Sequence, residues 1–148
     1  ARAEAAGGFC YLNNAAVAAQ VLRDKYARVA VLDTDMHHGQ GIQEIFYERA
    51  DVLYVSVHGD PTNFYPGVAG FAEERGAGAG EGYNLNLPMA HGASEGDFLA
   101  RLEQALVAVK AFDALGLPCL IVQEGGYHLE SLEDNARAFF ADAAAWAF

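Results

Sequence analysis

Basic residues are scarce in this chain, in which nine Lys and Arg stand against twenty Asp and Glu, giving a formal net charge of −11. That balance argues against a nucleic-acid-binding face, which needs clustered positive charge. It is compatible with cationic small substrates. Long apolar runs are also absent, because none approaches the ~18 residues of a membrane span. We therefore expect neither nucleic acid nor a membrane among the partners.

Cysteine is rare as well, since Cys10 and Cys119 lie far apart, each in an apolar or aromatic context. We expect two buried free thiols in a reducing cytoplasm. The opening ARAEAAGGFC lacks the basic and then apolar order of a signal peptide. It also lacks an initiator Met. We expect a cytoplasmic protein of which this chain is a fragment.

Length and composition fit one globular domain with a core of its own, because the chain has 148 residues, 53% of them hydrophobic and 20% charged. We assign residues 1–148 to a single, partial domain. Apolar spacing predicts strands that alternate with helices, which favours an α/β fold with a mainly parallel sheet. The predicted helices span residues 11–26, 41–50, 94–112 and 132–148; the predicted strands span 28–35, 52–58, 83–89 and 118–127, with a long loop over 59–82.

Titratable side chains cluster where three of the predicted strands end. Asp33, Asp35 and His37 follow the first strand, residues 56–60 the second, and residues 124–127 the last. Ligands of open parallel sheets usually sit beyond the carboxyl ends of the strands. The carboxylate and imidazole of Asp35-x-His37 suit a catalytic zinc with a position left for water. Asp33 would then lie behind them, as an orienting group or as an oxygen ligand of a hard monovalent cation.

Other interpretations compete with a metal site. Two capping aspartates followed by surface histidines would need no metal at all. Phosphatases of the haloacid dehalogenase type also open on an apolar strand and Asp-x-Asp, with the first Asp, here Asp33, as nucleophile. The later acidic clusters of this chain lie in loop or helical contexts, which disfavours that class. The glycine-rich segment 76–82 lacks the Lys-Ser/Thr of a phosphate-binding loop. Tyr127, after two glycines, could donate a hydrogen bond to an oxyanion.

Five motifs occur in the order found in zinc-dependent histone deacetylases: GGFCYLNNAA, DTDMHHGQGIQEIF, SVHGDP…FYPG, GAGEGYNLNLP and IVQEGGY. The chain most resembles the bacterial branch that contains acetylpolyamine amidohydrolases, over nearly its whole length. The resemblance implies an arginase- and deacetylase-like three-layer α/β fold with a mainly parallel sheet, truncated in this chain. The related manganese ureohydrolases prefer Asp-x-His-x-Asp, whereas this chain has Asp-x-Asp-x-His.

The resemblance also implies roles for particular residues. Asp35 and His37 resemble two of three zinc ligands. Asp33 resembles the buried aspartate that orients a catalytic histidine and contacts a potassium ion, and Tyr127 resembles the tyrosine that binds the substrate carbonyl. Further positions match potassium contacts (Ser56 and the backbone of His37 and Val57), a second monovalent site (Phe46, Val52, Tyr83) and the walls of the acyl-substrate tunnel (Gly8, Phe9, Tyr65).

Two catalytic elements of the family have no counterpart in this sequence. The tandem histidines that serve as base and acid lie just before GGFCYLNN in the family, and so would precede Ala1. The third zinc ligand is an Asp on a strand for which residues 112–118 leave no room. We interpret this stretch as a deletion, and Asp113 at the join is a poor substitute. Three histidines could complete a metal shell without any spacing that favours one of them: His58, His91 and His128.

The sequence thus predicts a zinc-dependent hydrolase that removes acetyl groups from acetyl-lysine or acetylpolyamines, with zinc and potassium as cofactors. Little activity is expected from this chain alone, because a missing general base removes a factor of ~10²–10⁴ in rate. The alternative is a non-catalytic remnant or binding module of the same fold that pairs with another chain. The sequence leaves a homodimer open.

Overall fold

The computed structural model describes residues 1–112, 119–122, 125 and 129–145. Two compact units divide the chain, residues 1–114 and 115–148. The assignment of one partial domain to 1–148 stays a prediction. The first unit contains helices α1 (Asn14–Arg23), α2 (Gln40–Phe46) and α3 (Glu95–Ala111), strands β1 (Val29–Asp33), β2 (Val52–Gly59) and β3 (Asn84–Met89), and a 3₁₀ turn (Gly78–Gly80). The second contains α4 (Leu129–Ala145).

The strands form a parallel sheet in the order β1-β2-β3. The central strand β2 is buried over residues 52–58. That burial explains why its sequence is almost continuously apolar. Its register places Ser56 opposite Asp33 on β1 and opposite Asn86 on β3. Polar groups of all three strands therefore meet at one level, near the carboxyl edge of the sheet.

Side chains of β2 alternate between two cores, as the pleat of a strand requires. Val52 and Tyr54 face a cluster that includes Ala16 and Ala19 of α1 and Ile42 and Phe46 of α2. Leu53, Val55 and Val57 face a second cluster with Ala105 of α3 and Phe112. The sheet thus lies between α1 and α2 on one face and α3 on the other. These layers confirm the predicted α/β fold with a parallel sheet.

The boundaries of the helices differ from those predicted. The first was predicted from Tyr11, but α1 begins at Asn14 because the side chain of Asn13 caps it by accepting the N–H of Ala16 at 2.9 Å. The predicted Ser94 cap of α3 is confirmed as a capping box with Asp97. The last helix begins at residue 129 rather than 132.

An ion cluster joins α1 to the segment between α2 and β2. The carboxylate of Asp51 accepts hydrogen bonds from Arg23 at 2.6 Å and from Arg49 at 2.8 and 2.9 Å. The hydrogen bond of Arg49 is the main cause that holds the pKa of Asp51 well below its usual value. The cluster fixes the end of α1 against the start of β2.

Two expectations from the sequence need correction. Residues 119–122 were predicted as part of a strand, yet the structure gives these four residues no strand and leaves all of them exposed. Neither cysteine is fully buried, because Cys10 is half-buried and Cys119 is exposed, although both are free thiols as predicted. Within the described part of the chain, no helix has the length and apolarity needed to cross a membrane.

Candidate active site

The turn that follows β1 carries the residues predicted to bind zinc. Asp33, the last residue of β1, accepts the backbone N–H of Asp35 on its Oδ1 at 3.1 Å. Asp35 in turn accepts the backbone N–H of His37 on its Oδ1 at 2.8 Å. Two successive Asx turns therefore shape the segment from 33 to 37, because each carboxylate bonds the amide two residues ahead. We call residues 33–39 the ligand turn.

Asp35 and His37 lie side by side at the end of this arrangement. Oδ1 of Asp35 is 3.4 Å from Nδ1 of His37, and the two side chains are 23% and 24% exposed. Two ligands of one tetrahedral zinc, at the usual metal–ligand distances, lie roughly 3.3–3.5 Å apart. The carboxylate oxygen and the imidazole nitrogen therefore fit two corners of a zinc site that opens to solvent.

A complete metal site does not arise within the described ranges. Among residues 1–112, 119–122, 125 and 129–145, no group of three or more His, Cys, Asp or Glu side chains could hold a metal ion. Tyr127, Asp113 and His128 fall outside these ranges. Asp35 and His37, the predicted zinc ligands, are therefore adjacent to each other without a third such side chain beside them in the described part of the chain.

His58 was considered as a third ligand, and the structure argues against that role. Its side chain is fully buried, with Nδ1 2.8 Å from Ser56 Oγ and Nε2 2.9 Å from the carbonyl of Gly70. A carbonyl can only accept, so Nε2 carries the proton and Nδ1 accepts from the serine. Burial lowers the pKa of His58 and favours this neutral form. Both ring nitrogens are therefore already used.

His38 is buried against His58 and does not lie at the surface beside His37. The two rings have centroids 4.7 Å apart, and Nε2 of His38 lies 3.1 Å from Oδ1 of Asn86. Burial, and next the charge of His58, lower the pKa of His38 to about 3. Gly70 covers the pair, because a Cβ at that position would lie 2.8 Å from Cγ of His38 and 2.9 Å from Nε2 of His58.

Aromatic rings line the approach to His37. Phe64 stacks on the His37 ring with centroids 4.8 Å apart and planes 14° apart, and Tyr65 meets it edge-on at 5.8 Å. The Tyr65 hydroxyl lies against Gly7 and Gly8, where an added Cβ would be 3.5 and 3.7 Å from it. Two predicted tunnel residues, Gly8 and Tyr65, are thus neighbours. The third, Phe9, is 96% exposed.

His91 is a second histidine in contact with Phe64. The Phe64 and His91 rings meet edge-on with centroids 5.4 Å apart, and Nε2 of His91 is 3.3 Å from the carbonyl of Thr62. Phe64 therefore contacts both His37 and His91. This arrangement gives His91 a place at the rim of the approach.

Three neighbours of the site were not foreseen: Tyr54, Phe64 and Gln40. The hydroxyl of Tyr54 donates to Asp33 Oδ2 at 2.9 Å, and Gln40 Nε2 donates to the Tyr65 hydroxyl at 2.6 Å. The place of Tyr54, two residues before Ser56 on a buried strand, puts both on one face of the sheet, but it does not show that the hydroxyl reaches Asp33. Phe64 precedes Tyr65 in the motif FYPG. For Gln40 we see no sequence signal.

Two of the residues predicted to contact potassium, Asp33 and Ser56, lie next to each other in the sheet. Ser56 and Asp33 are register partners on neighbouring strands, and Ser56 is fully buried. The serine hydroxyl lies within hydrogen-bond distance of His58. The structure thus places the side chains of Asp33 and Ser56 at the same level beside the ligand turn, one strand apart.

Comparison with known proteins places this arrangement in a family. The histone deacetylase domain matches residues 1–114. An acetylpolyamine amidohydrolase of Burkholderia pseudomallei is 58% identical, and the match covers 95% of this chain and 52% of that protein. One of Mycoplana ramosa is 44% identical over 90% of this chain and 38% of its own length. The chain therefore spans about half the length of the Burkholderia relative and less than half of the Mycoplana one.

Solved structures agree with this match. A crystal structure of the Burkholderia pseudomallei protein superposes with a TM-score of 0.91 over 95% of this chain and 52% of the other. A histone deacetylase homologue of Aquifex aeolicus, 43% identical, gives 0.72 over 75% of this chain and 30% of the other. The Burkholderia sequence match extends over 176 positions, more than the 148 residues of this chain, so that relative has residues within the matched range that this chain lacks. The chain belongs to the histone deacetylase family, and it is similar to acetylpolyamine amidohydrolases over part of their length.

Proposed function

We propose that this chain carries part of the active site of a zinc-dependent amide hydrolase that releases acetate from acetylpolyamines or acetyl-lysine. The observation that carries the proposal is the pair formed by Asp35 and His37. Its oxygen-to-nitrogen distance of 3.4 Å suits adjacent zinc ligands, and the pair stands at the carboxyl end of a parallel strand. The relatives named acetylpolyamine amidohydrolase support the substrate class.

Asp35 and His37 would hold the zinc. When bound, zinc supplies Lewis-acid chemistry that polarises an acetyl carbonyl and acidifies water. Asp33 holds the ligand turn in shape by accepting the amide of Asp35. Tyr127 would donate a hydrogen bond to the carbonyl oxygen and stabilise the negative charge that develops there. The chain would need its general base and third ligand from residues beyond those described.

Substrate would reach this pair along the aromatic rings. The rings of Phe64 and Tyr65 lie beside His37 and would form the walls of this approach. The glycines at 7 and 8 leave room beside the Tyr65 hydroxyl. Such a lining suits the apolar methylene chain of an acylated amine and excludes bulk water from the reacting carbonyl. A net charge of −11 favours the cationic remainder of an acetylpolyamine.

A potassium ion would complete the support of the ligand turn. The carboxylate of Asp33, the hydroxyl of Ser56 and the backbone carbonyls of His37 and Val57 are oxygen donors of the kind that hard monovalent cations prefer. In support, Asp33 and Ser56 are paired in register. Bound at that level, the cation would stabilise the end of β1.

A second candidate is a binding module without turnover. It is favoured by the lack of a third metal-binding side chain near the pair in the described part of the chain. A module of this kind would bind zinc weakly or not at all, and it would gain a complete site only on pairing with another chain, including a second copy.

Zinc content and turnover test the first proposal together. Purified wild-type chain, Asp35→Asn and Asp24→Asn are dialysed to equilibrium against zinc, which detects weak binding, and analysed for bound metal, then assayed on acetylputrescine and an acetyl-lysine peptide. Asp24 is the matched control, because it is an exposed carboxylate at the end of α1. We expect wild type and Asp24→Asn to retain zinc, Asp35→Asn to lose it, and turnover to be low in all three.

The outcomes separate the candidates. Zinc retained equally by Asp35→Asn and wild type would contradict the assignment of Asp35. Folded, metal-free wild type would favour the binding module. Turnover of wild type comparable to that of an intact relative would contradict the expected low activity and support a complete active site in this chain.

A further inference from the structure

One buried hydroxyl joins the two ends of the ligand turn. Tyr54 lies in the middle of β2 and is 1% exposed. Its hydroxyl donates to Oδ2 of Asp33 at 2.9 Å, at the start of the turn, and accepts the backbone N–H of Gly39 at 3.1 Å, at its end. The residues between these two points include Asp35 and His37.

The direction of these hydrogen bonds follows from chemistry. Asp33 Oδ2 can only accept when the carboxylate is ionised, so the tyrosine must supply the proton. Burial and next the charge of Asp33 raise the pKa of Tyr54 well above its ordinary value, which keeps that proton on the phenol. The remaining lone pairs of the hydroxyl are then available to the Gly39 amide.

The two oxygens of Asp33 therefore have separate tasks. Oδ2 binds the Tyr54 hydroxyl, which fixes the rotation of the carboxylate about the Cβ–Cγ bond. Oδ1 then points at the amide of Asp35, 3.1 Å away. A hydrogen bond to an ionised group in a buried setting is among the stronger ones in proteins. The position of Asp35 is thus determined through Asp33 by a side chain of the neighbouring strand.

Gly39 shows how closely the hydroxyl is fitted. A Cβ at this position would lie 2.6 Å from Oδ2 of Asp33 and 2.6 Å from the oxygen of Tyr54. Its φ of −80° is open to any residue, so a glycine is needed there for space alone. The end of the ligand turn can approach the hydroxyl only because no side chain intervenes.

We infer that Tyr54 is a positioning residue of the metal site, which acts by holding both ends of the ligand turn so that Asp35 and His37 keep their spacing. This inference rests on the proposed function, since the purpose of that spacing is to bind zinc. Groups that orient metal ligands from behind typically change metal affinity by 10–100-fold when they are removed.

The test compares Tyr54→Phe with a control that weakens the same core elsewhere. Tyr54→Phe removes the hydroxyl and keeps the ring among its apolar neighbours. Val29→Ala removes two methyl groups from the same cluster, at the far end of β1 from Asp33. Zinc affinity is measured by competition with a chromophoric chelator, the visible spectrum of bound Co²⁺ reports ligand geometry, and NMR follows amide exchange of Asp35 and Gly39.

We expect Tyr54→Phe to bind zinc at least tenfold more weakly, to change the Co²⁺ spectrum and to speed exchange of the Asp35 and Gly39 amides. Val29→Ala should lower the melting temperature and leave the zinc affinity and the spectrum unchanged. Equal zinc affinity in Tyr54→Phe and wild type, with the same spectrum, would overturn the inference. So would an unfolded Tyr54→Phe, because the hydroxyl would then serve the whole fold.

Failure of the proposed function is distinguishable from failure of this inference. A wild-type chain that binds neither zinc nor Co²⁺ would contradict the metal site itself. In that case amide exchange decides the role of Tyr54. Faster exchange confined to the ligand turn supports positioning, and unchanged exchange at Asp35 and Gly39 overturns it.

Discussion

Replacement of Gly39 by alanine should destabilise the ligand turn through crowding alone. The added methyl group would lie 2.6 Å from two oxygens that are hydrogen-bonded to each other, those of Asp33 and Tyr54. Neither oxygen belongs to a flexible chain end, because Tyr54 is buried in the core and Asp33 ends a paired strand. The turn must therefore move away, or the hydrogen bond between the two side chains must open.

The magnitude follows from these two routes. Overpacking a well-filled site costs about 1–3 kcal/mol. Loss of a buried hydrogen bond to a charged group costs about 1.5–3 kcal/mol. The lower chain entropy of alanine in the unfolded state offsets about 0.4–1 kcal/mol. Because either route alone relieves the crowding, we expect Gly39→Ala to lower the free energy of unfolding by about 0.5–2.5 kcal/mol.

Urea denaturation followed by circular dichroism measures the effect, with Gly96→Ala as control. A Cβ at Gly96, in the first turn of α3, would meet only Ser94 Oγ at 3.7 Å. That variant should be as stable as wild type or up to about 1 kcal/mol more stable, because alanine suits a helix. The double variant Gly39→Ala/Tyr54→Phe should lose less than the sum of the single losses, since one of the two crowded oxygens is gone. Wild-type stability of Gly39→Ala, or strict additivity in the double variant, would refute the reasoning.

Further predictions concern three residues of the first compact unit, Asp51, His38 and Ser94. Asp51→Asn should lower the free energy of unfolding by about 0.5–1 kcal/mol at pH 7, a small effect because solvent weakens the partly exposed ion pairs of Asp51. The pKa of Asp51 is depressed in the folded state, so the difference in stability from wild type should vanish as the pH falls below the usual Asp range. Urea titrations at several pH values would measure this. His38, with a folded pKa of about 3, should stay neutral, so its NMR resonances should not titrate between pH 8 and 5. The free energy of unfolding should fall by up to ~1.4 kcal/mol per pH unit as the pH drops from 6.5, because His38 becomes protonated in the unfolded chain but stays neutral in the folded one. Ser94→Ala should lose about 1 kcal/mol with the capping box, whereas Ser94→Thr should retain most of it, as thermal unfolding would show.

The sheet was predictable because burial on both faces leaves a simple pattern. A strand such as β2, covered by helices on either side, needs apolar residues at every position, and its sequence shows them from Val52 to Val55. The strand predicted at 118–127 has a similar apolar run, yet residues 119–122 are exposed and form no strand. An apolar run predicts a strand only where neighbouring strands and helices are present to cover it.

The sequence brought Asp35 and His37 together as proposed ligands, but it did not show the side chains that support them. Asp35 and His37 stand together in the sequence, so a motif of a few residues includes both. Tyr54 reaches Asp33 from the next strand, 21 residues away, and its register could be known only from the paired sheet. Gln40 reaches Tyr65, which lies 25 residues further along the chain. Contacts of this kind depend on the tertiary fold, and local spacing carries no signal for them.

The part of the proposed metal site that this chain contains would set the positions of two ligands more than it would provide zinc affinity. The two proposed ligands, Asp35 and His37, would alone leave half of a tetrahedral zinc shell to water, so they would bind zinc weakly. Their spacing is nevertheless set within this chain by Asp33, Tyr54 and the Gly39 amide. A third ligand from elsewhere, in a longer protein or a partner chain, would meet two ligands that are already positioned. Binding of zinc would then not have to order them. Zinc affinity should then rise by the full contribution of that third ligand, whereas in Tyr54→Phe part of that contribution would be spent on ordering the turn.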